Sequence, residues 1–438
     1  MGFEDAVAYL DALGIDAMKA MAPSLHRIEA LCAALDHPEA KAPAIHITGT
    51  NGKTSTARIA TALLSAAGLK VGTYTSPHLQ DVRERLALNG TPISAHDFGE
   101  VFDHIRPFID QVERDLGETL TYFEVLTGMF FLWAAESPVD AMVVEVGLGG
   151  RWDATNVLPH APVAVVTQIG LDHTGLLGSE RETIAKEKAG IVKPGAVVVT
   201  AERTPSVLEV IAGEAGAVGA DLALLGRDYD LVDNVVAVGG RLLTVRTSAA
   251  TYEDLFLPLH GRHQGYNAAV ALEAVTRFLP AQRLAHELVA EGLAQASVPG
   301  RLEVVRHGTD AEPPVILDVA HNPDGVSALV SSLVEAFAFD RATVVLGILG
   351  DKDHVGMLAE LARIPCELVL TEPKSVRSIP LAELAAAADR AGLAHEVVPE
   401  VTAAVDAAIA RALPGGLVLV TGSHYVVGDA RTHLGPVG

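Results

Sequence analysis

Lys53 sits in the run Gly49-Thr50-Asn51-Gly52-Lys53-Thr54-Ser55, between the apolar stretch Ile45 to Thr48 and the helix-forming stretch Thr54 to Ala67, which Gly68 can terminate. Glycine for a tight turn, a mobile ammonium and two neighbouring hydroxyls are the groups a phosphate needs. A strand, a turn and a helix in succession aim backbone N–H groups into one small volume, where the helix dipole also favours negative charge. Lys53 then reaches the outer phosphates, and Thr54 or Ser55 offers a hydroxyl to a magnesium ion. The first glycine of the strict GxxxxGK[ST] pattern would fall on Ile47, so TGTNGKTS is a variant of that loop. The rival reading is a turn that only satisfies its own geometry. A lysine in this setting between an apolar strand and an apolar helix favours phosphate.

Glu145 is a second candidate, at the end of the nearly continuous apolar strand Val139 to Val146 and just before Gly147-Leu148-Gly149-Gly150-Arg151. A carboxylate at the end of a buried strand is costly unless paired or metal-bound, and metal ligation is the preferred reason here. Ser76 follows the strand Val71 to Thr75; it either shares the sheet edge of the phosphate loop or belongs to an ordinary proline turn. Asp172 and His173 lie in the loop after the strand Pro162 to Ile169. Ser179 and Glu182 predict a capping box for a helix running to Ala189, on which Lys186 and Lys188 read as surface lysines. Arg83-Glu84-Arg85 reads as a solvated face, and His260 and His263 read as structural. Tyr122, Phe123 and Glu124 open a strongly apolar helix, starting near Thr121 and running through Trp133, in which aromatics are expected in the core.

The elements that position these groups read as α/β. Residues 4 to 35 form amphipathic helices broken near Gly14 and Pro23, and a parallel sheet follows. A small antiparallel hairpin is expected from 231 to 237 and 241 to 246, turning through Gly239-Gly240. Helices from Tyr266 to Phe278 and onward to Ala296 end at Val298-Pro299-Gly300-Arg301, which places a boundary between domains 1–297 and 298–438. Strands Val315 to Val319, Thr343 to Ile348, Glu367 to Thr371, Glu396 to Val398 and Leu417 to Thr421 then alternate with helices as a parallel, Rossmann-like sheet. Asp318, Ala320, His321 and Asn322 fall at the end of its first strand, where such sheets bind ligands.

At 438 residues the chain exceeds a single core, and its 49% apolar and 20% charged residues suit large cores rather than disorder. A net charge of -23, from 32 basic and 55 acidic residues, repels nucleic acid and anionic membrane. Cys32 and Cys366 form no metal or redox spacing, the N-terminus lacks the basic region of a leader, and no apolar run reaches membrane-spanning length. A cytoplasmic protein is expected.

Taken in order, TGTNGKTS, TSPHL, TYFE, EVGLGGRWDATN, GLDHTGLLG, EKAGI, YNAA, PGRLE, DVAHNP, GDKD and GSHYVVG resemble the folylpolyglutamate synthase and dihydrofolate synthase family of Mur-type ligases over nearly the whole chain. The resemblance implies an N-terminal P-loop ATPase domain, a C-terminal Rossmann-like domain and an active site in the cleft between them. It implies that ATP phosphorylates a folate carboxylate and that the amine of L-glutamate attacks the acyl phosphate. By the same match Gly49, Thr50, Asn51, Gly52, Lys53, Thr54 and Ser55 cradle phosphates; Ser76 and Glu145 hold one magnesium ion, and His173 helps hold a second. Lys188 matches a lysine carbamylated in the family, which overturns its surface reading. Asn267, Arg301, Asp318 and His321 match ATP and phosphate contacts, and Phe123, Arg151 and Asp153 fall in stretches that contact the pterin. The family expectation is a monomer with reduced folate or dihydropteroate, L-glutamate and ATP as substrates. Departures are Thr54, where many relatives carry Gly, and His424, where many carry Phe. A cell-wall Mur ligase would share the loop but normally adds an N-terminal domain, for which Lys53 stands too early. A nucleotide-binding regulator would not need Glu145, His173 and Lys188 together.

Overall fold

Short apolar strands separated by helices give a mixed α/β architecture in the computed structural model, which describes residues 2–14, 24–279, 284–309 and 312–435. Pro23, expected to break the first helices, lies outside those residues. The chain divides into two compact units. One comprises 1–233, 243–255 and 266–296, and the other 234–242, 256–265 and 297–438.

The first unit is built on eight strands: β1 Ala44–Thr48, β2 Val71–Tyr74, β3 Leu86–Leu88, β4 Thr91–Pro92, β5 Ala141–Glu145, β6 Val163–Val166, β7 Val197–Thr200 and β8 Asp221–Leu224. Their order is β4-β3-β2-β5-β1-β6-β7-β8, parallel from β2 to β8, with β3 and β4 added antiparallel. The central strands β1, β2, β5 and β6 are buried on both faces, which is why they read as unbroken apolar runs. Helix Tyr122–Glu136 is buried along nearly its whole length, and the Thr121 hydroxyl accepts from the Glu124 N–H while Glu124 accepts from the Thr121 N–H. Glu124 is itself buried and takes the Arg27 Nε at 3.1 Å on both oxygens, so the aromatic helix start is held by a satisfied ion pair.

Two local expectations differ from the structure. The helix Arg181–Ala189 is capped by the backbone of Glu180, with no capping box from Ser179; Glu182 instead accepts from the Ser206 hydroxyl at 2.5 Å. A rival donor on a neighbouring helix thus outcompetes a local pattern. The helix expected from Tyr266 starts at Arg262, taking His263 into its first turn.

The expected hairpin is part of a three-stranded antiparallel sheet, β9 Asp230–Ala237, β10 Gly240–Arg246 and β11 Thr251–Leu257, in the order β11-β10-β9. In the second unit β12 Glu303–Arg306, β13 Val315–Leu317, β14 Ala342–Leu346, β15 Cys366–Leu370, β16 His395–Val397 and β17 Leu417–Thr421 form a sheet in the order β12-β13-β17-β14-β15-β16. All its pairings are parallel except β12 with β13. That edge strand was not legible, since Glu303 to Arg306 alternates too briefly. Ile316, Val344, Leu346, Leu368, Leu370 and Leu419 anchor this unit's core.

Candidate active site

Parallel strands ending at one edge bring the candidate loops of the first unit together. After β1 the chain turns through Gly49 at φ 145° and Gly52 at φ 89° into the helix Lys53–Ala66. Gly52 is the N-cap and offers no side chain to the N–H groups of the first turn, leaving that end to an anion. The loop is fastened to the segment after β6. Thr50 N donates to Gln168 O at 2.9 Å, its hydroxyl donates to Gly170 O at 3.0 Å, and Thr167 Oγ1 donates to Asn51 O at 2.8 Å.

That fastening leaves no room at Gly49, where a Cβ would lie 1.7 Å from Thr167 Oγ1. Gly49→Ala is therefore expected to displace the loop, weakening nucleotide binding by roughly a hundredfold and costing about 2–3 kcal/mol of stability. Titration with MgADP and thermal unfolding check both effects. Parent-like binding would mean that the loop tolerates displacement. Gly52 is crowded too, though less closely: its Cβ would lie 2.6 Å from Asn267 Oδ1, so the structure brings Asn267 against the phosphate loop.

Glu145, only 1% exposed, ends β5 next to β1. Thr54 Oγ1 donates to its Oε1 at 2.9 Å and Ser76 N donates to its Oε2 at 3.2 Å. Thr54 is thus the hydroxyl directed at the carboxylate, whereas Ser55 is buried within the helix. Ser76 does share the sheet edge. A hydroxyl and a carboxylate are hard oxygen donors that suit magnesium, which keeps several waters and takes only one or two protein carboxylates. Among the described residues no three His, Cys, Asp or Glu side chains form a metal cage.

Lys188 is the largest departure from a reading by spacing. It is 4% exposed, and its Nζ donates to Gly49 O at 2.8 Å. Lys53 Nζ donates to the same carbonyl at 3.0 Å and to Thr50 O at 3.2 Å. Burial first, and the neighbouring Lys53 charge second, push the Lys188 amine down to about 7, against the opposing pull of Asp172, Asp153 and Glu187. Asp172 accepts from His173 N at 2.8 Å, while the His173 side chain remains exposed at the start of the short helix Thr174–Leu177.

The three residues expected against a pterin have partners within the chain. Phe123 is packed so closely on Gly147 that a Cβ there would lie 2.5 Å from the ring. Arg151 Nη2 donates to Glu214 Oε2 at 2.6 Å. Asp153 is buried and accepts from Leu148 N at 2.9 Å, Thr155 N at 3.0 Å and Thr155 Oγ1 at 2.6 Å; burial raises its pKa against those bonds. His46 continues that chain from β1 with its Nε2 2.8 Å from Thr155 Oγ1, and burial lowers its pKa to about 3, so it is a neutral core histidine.

In the second unit Asp318 accepts from Leu302 N at 2.9 Å and Ala320 N at 2.8 Å, tying the Gly300-Arg301-Leu302 turn to the end of β13. Burial raises its pKa, opposed mainly by Arg301. His321 Nδ1 donates to Val319 O at 2.9 Å, which orients the ring. The His321 and His424 rings stand 5.3 Å apart. Neither cysteine is activated: burial raises Cys32 strongly and Cys366 to about 11.

Comparison with known proteins defines the class first. Residues 47–275 match the Mur ligase middle domain and residues 300–424 match the Mur ligase glutamate ligase domain. The chain is 39% identical to the dihydrofolate synthase/folylpolyglutamate synthase of Mycobacterium tuberculosis, over 94% of this chain and 90% of that one. It is 36% identical to the enzyme of the same name from Escherichia coli, over 87% and 84%. A structure of Mycobacterium tuberculosis folylpolyglutamate synthase complexed with ADP superposes with a TM-score of 0.93 at 38% identity, covering 99% of this chain and 98% of that one. The chain belongs to the folylpolyglutamate synthase and dihydrofolate synthase family of Mur ligases.

Proposed function

We propose that this chain is an ATP-dependent ligase that adds L-glutamate to a reduced folate through an acyl phosphate, and that it also makes dihydrofolate from dihydropteroate. The observation that carries the reading is the grouping of Lys53 and Lys188 on the Gly49 carbonyl, with Thr54 joined to Glu145 beside them. Relatives named for both activities support two acceptors, while the Lacticaseibacillus casei relative is named for folylpolyglutamate synthesis alone.

A carboxylate is a poor electrophile, so its oxygen first attacks the terminal phosphorus of ATP and ADP leaves. The glutamate nitrogen then attacks the acyl carbon; a C–N bond forms, the C–O bond to phosphate breaks, and the amine proton passes to solvent. Such chemistry depends on positioning and charge neutralisation more than on a protein nucleophile. The Gly49 to Ser55 loop and the open helix end bind the phosphates, and Lys53 compensates their charge. Thr54, Ser76 and Glu145 would hold one magnesium ion, and His173 with Lys188 as a carbamate a second. Bound there, magnesium supplies neutralisation of the transferring phosphoryl group. The Lys188 amine, buried and held near 7, has the uncharged fraction that reaction with carbon dioxide requires at neutral pH.

Residues 1–297 are assigned as the ATP-binding domain and 298–438 as the glutamate ligase domain, with Asn267, Arg301, Asp318 and His321 as nucleotide contacts. Asp318 acts there by fixing the Arg301 turn. Phe123 is assigned to the acceptor's ring, while Asp153 and Arg151 shape the loop that carries it. A cytoplasmic monomer fits this role, and no helix among the described residues is long and apolar enough to cross a membrane. The test is ADP release with L-glutamate and, in turn, dihydropteroate, tetrahydrofolate or a UDP-muramyl peptide. Turnover of both pterins is expected. Tetrahydrofolate alone would leave polyglutamylation only, and turnover of the muramyl acceptor alone would overturn the folate reading.

A further inference from the structure

Three described arginines are almost wholly buried: Arg27, Arg85 and Arg241, at 6%, 5% and 1% exposure. A buried guanidinium is costly without a compensating anion. Arg27 has Glu124, as described above. Arg241 has Glu335, with Nη1 to Oε2 at 2.8 Å and Nη2 to Oε1 at 3.1 Å. Arg85 has none among the described residues. Its Nε donates to His78 Nδ1 at 3.0 Å, and its guanidinium stands 5.4 Å from the centre of the Tyr122 ring. An arginine only donates, so that imidazole nitrogen carries no proton and the ring contributes no negative charge.

The carboxylates nearest in sequence are already engaged. Asp81 binds Arg83 through both oxygens, at 3.0 and 2.7 Å. Glu84 accepts from Leu79 N at 2.8 Å, Gln80 N at 2.9 Å and Asp81 N at 3.0 Å. Arg85 is therefore an exception within its own loop, and the expectation that the Arg83-Glu84-Arg85 run is solvated fails at this residue. Its place in the fold says which anion is missing. Thr75 N donates to Arg85 O at 3.1 Å, so Arg85 stands beside the residue preceding Ser76, whose N–H meets Glu145. It immediately precedes β3, which lies three strand positions from β1 in the sheet order, roughly 14 Å from the phosphate-loop strand at the usual strand spacing. That is the β2 side of Glu145, the side away from the phosphate-loop strand β1.

Resting on the ligase reading above, we propose that Arg85 binds the α-carboxylate of the acceptor's terminal glutamate and so distinguishes the two acceptors. Dihydropteroate presents one carboxylate, the one that is phosphorylated. A glutamylated folate presents a second, which stays charged throughout the reaction, and a fork of guanidinium N–H groups matches it in shape and charge.

The test pairs a change in the enzyme with a change in the substrate. With the parent enzyme, a tetrahydrofolate whose α-carboxylate is converted to an amide is expected to lose roughly a hundredfold in kcat/KM, mostly in KM. Arg85→Gln is expected to lower kcat/KM for tetrahydrofolate at least tenfold more than for dihydropteroate, and to narrow the acid-to-amide ratio toward unity. Arg85→Lys, which keeps the charge and loses the fork, should fall between. If the parent enzyme uses the amide as well as the acid, the proposal is overturned whatever the variants do, and it is equally overturned if Arg85→Gln lowers both acceptors alike. Absence of turnover with every acceptor in the parent enzyme would instead sink the ligase reading.

Discussion

Lys188→Met is expected to lower ligase turnover by roughly a thousandfold while making the protein harder to unfold. The two effects have one cause. Lys188 is buried against Gly49 O, and burial pulls its amine from the usual 10.5 to about 7. The unfolded chain then holds that proton more tightly than the folded chain. Its cost to stability is absent above about 10.5, grows as the pH falls toward 7, and is constant below. At neutral pH it is on the order of 4 kcal/mol, from which loss of the bond to Gly49 subtracts about 1 kcal/mol. Methionine fills similar volume without the charge, so against parent enzyme kept free of carbon dioxide, and hence uncarbamylated, a rise of several degrees in the thermal midpoint is expected, shrinking as the pH approaches 10. Thermal scans across pH and steady-state ADP release read the two effects separately. An inactive but destabilised variant would contradict the burial argument, and an active one would remove Lys188 from the site.

Glu145→Gln should cost about as much activity through a different route. The substitution keeps the shape at the end of β5 and the hydroxyl contact from Thr54, and removes the negative charge that the proposed magnesium site needs. A thousandfold fall in kcat corresponds to about 4 kcal/mol of transition-state stabilisation. The diagnostic readout is nucleotide affinity with and without magnesium: ADP alone should bind the variant as it binds the parent, and the gain from added magnesium should shrink. Full activity in Glu145→Gln would refute the metal assignment.

How far the sequence reveals this site follows from which forces act locally. The strand-turn-helix around Lys53 was legible because its parts are contiguous, and the buried, hydrogen-bonded place of Glu145 because a carboxylate ending an apolar run needs a partner. Thr54 against Ser55 was not decidable, since neighbouring positions on a helix differ only in which face the sheet supplies; the Thr54 to Glu145 contact comes from the pairing of β1 with β5. Lys188 reads as a surface lysine because its helix is mostly polar, and only the packing of Gly150 on the Lys188 backbone shows how it is drawn inward. Arg85 was hidden in a charge run for a similar reason: Arg83 pairs at the rim while Arg85, where the antiparallel strand β3 begins, is turned under Tyr122. The missing capping box at Ser179 has the same origin, a tertiary partner for Glu182. Local chemistry fixes what a residue can do, and strand order decides which of those residues meet.

The most direct test of the ligase chemistry is to follow oxygen. Acceptor whose carboxylate is labelled with heavy oxygen would be turned over with ATP and L-glutamate, and the released phosphate examined by mass spectrometry. Activation as an acyl phosphate predicts that each phosphate carries label from the acceptor. Glutamylated product formed with unlabelled phosphate would contradict it.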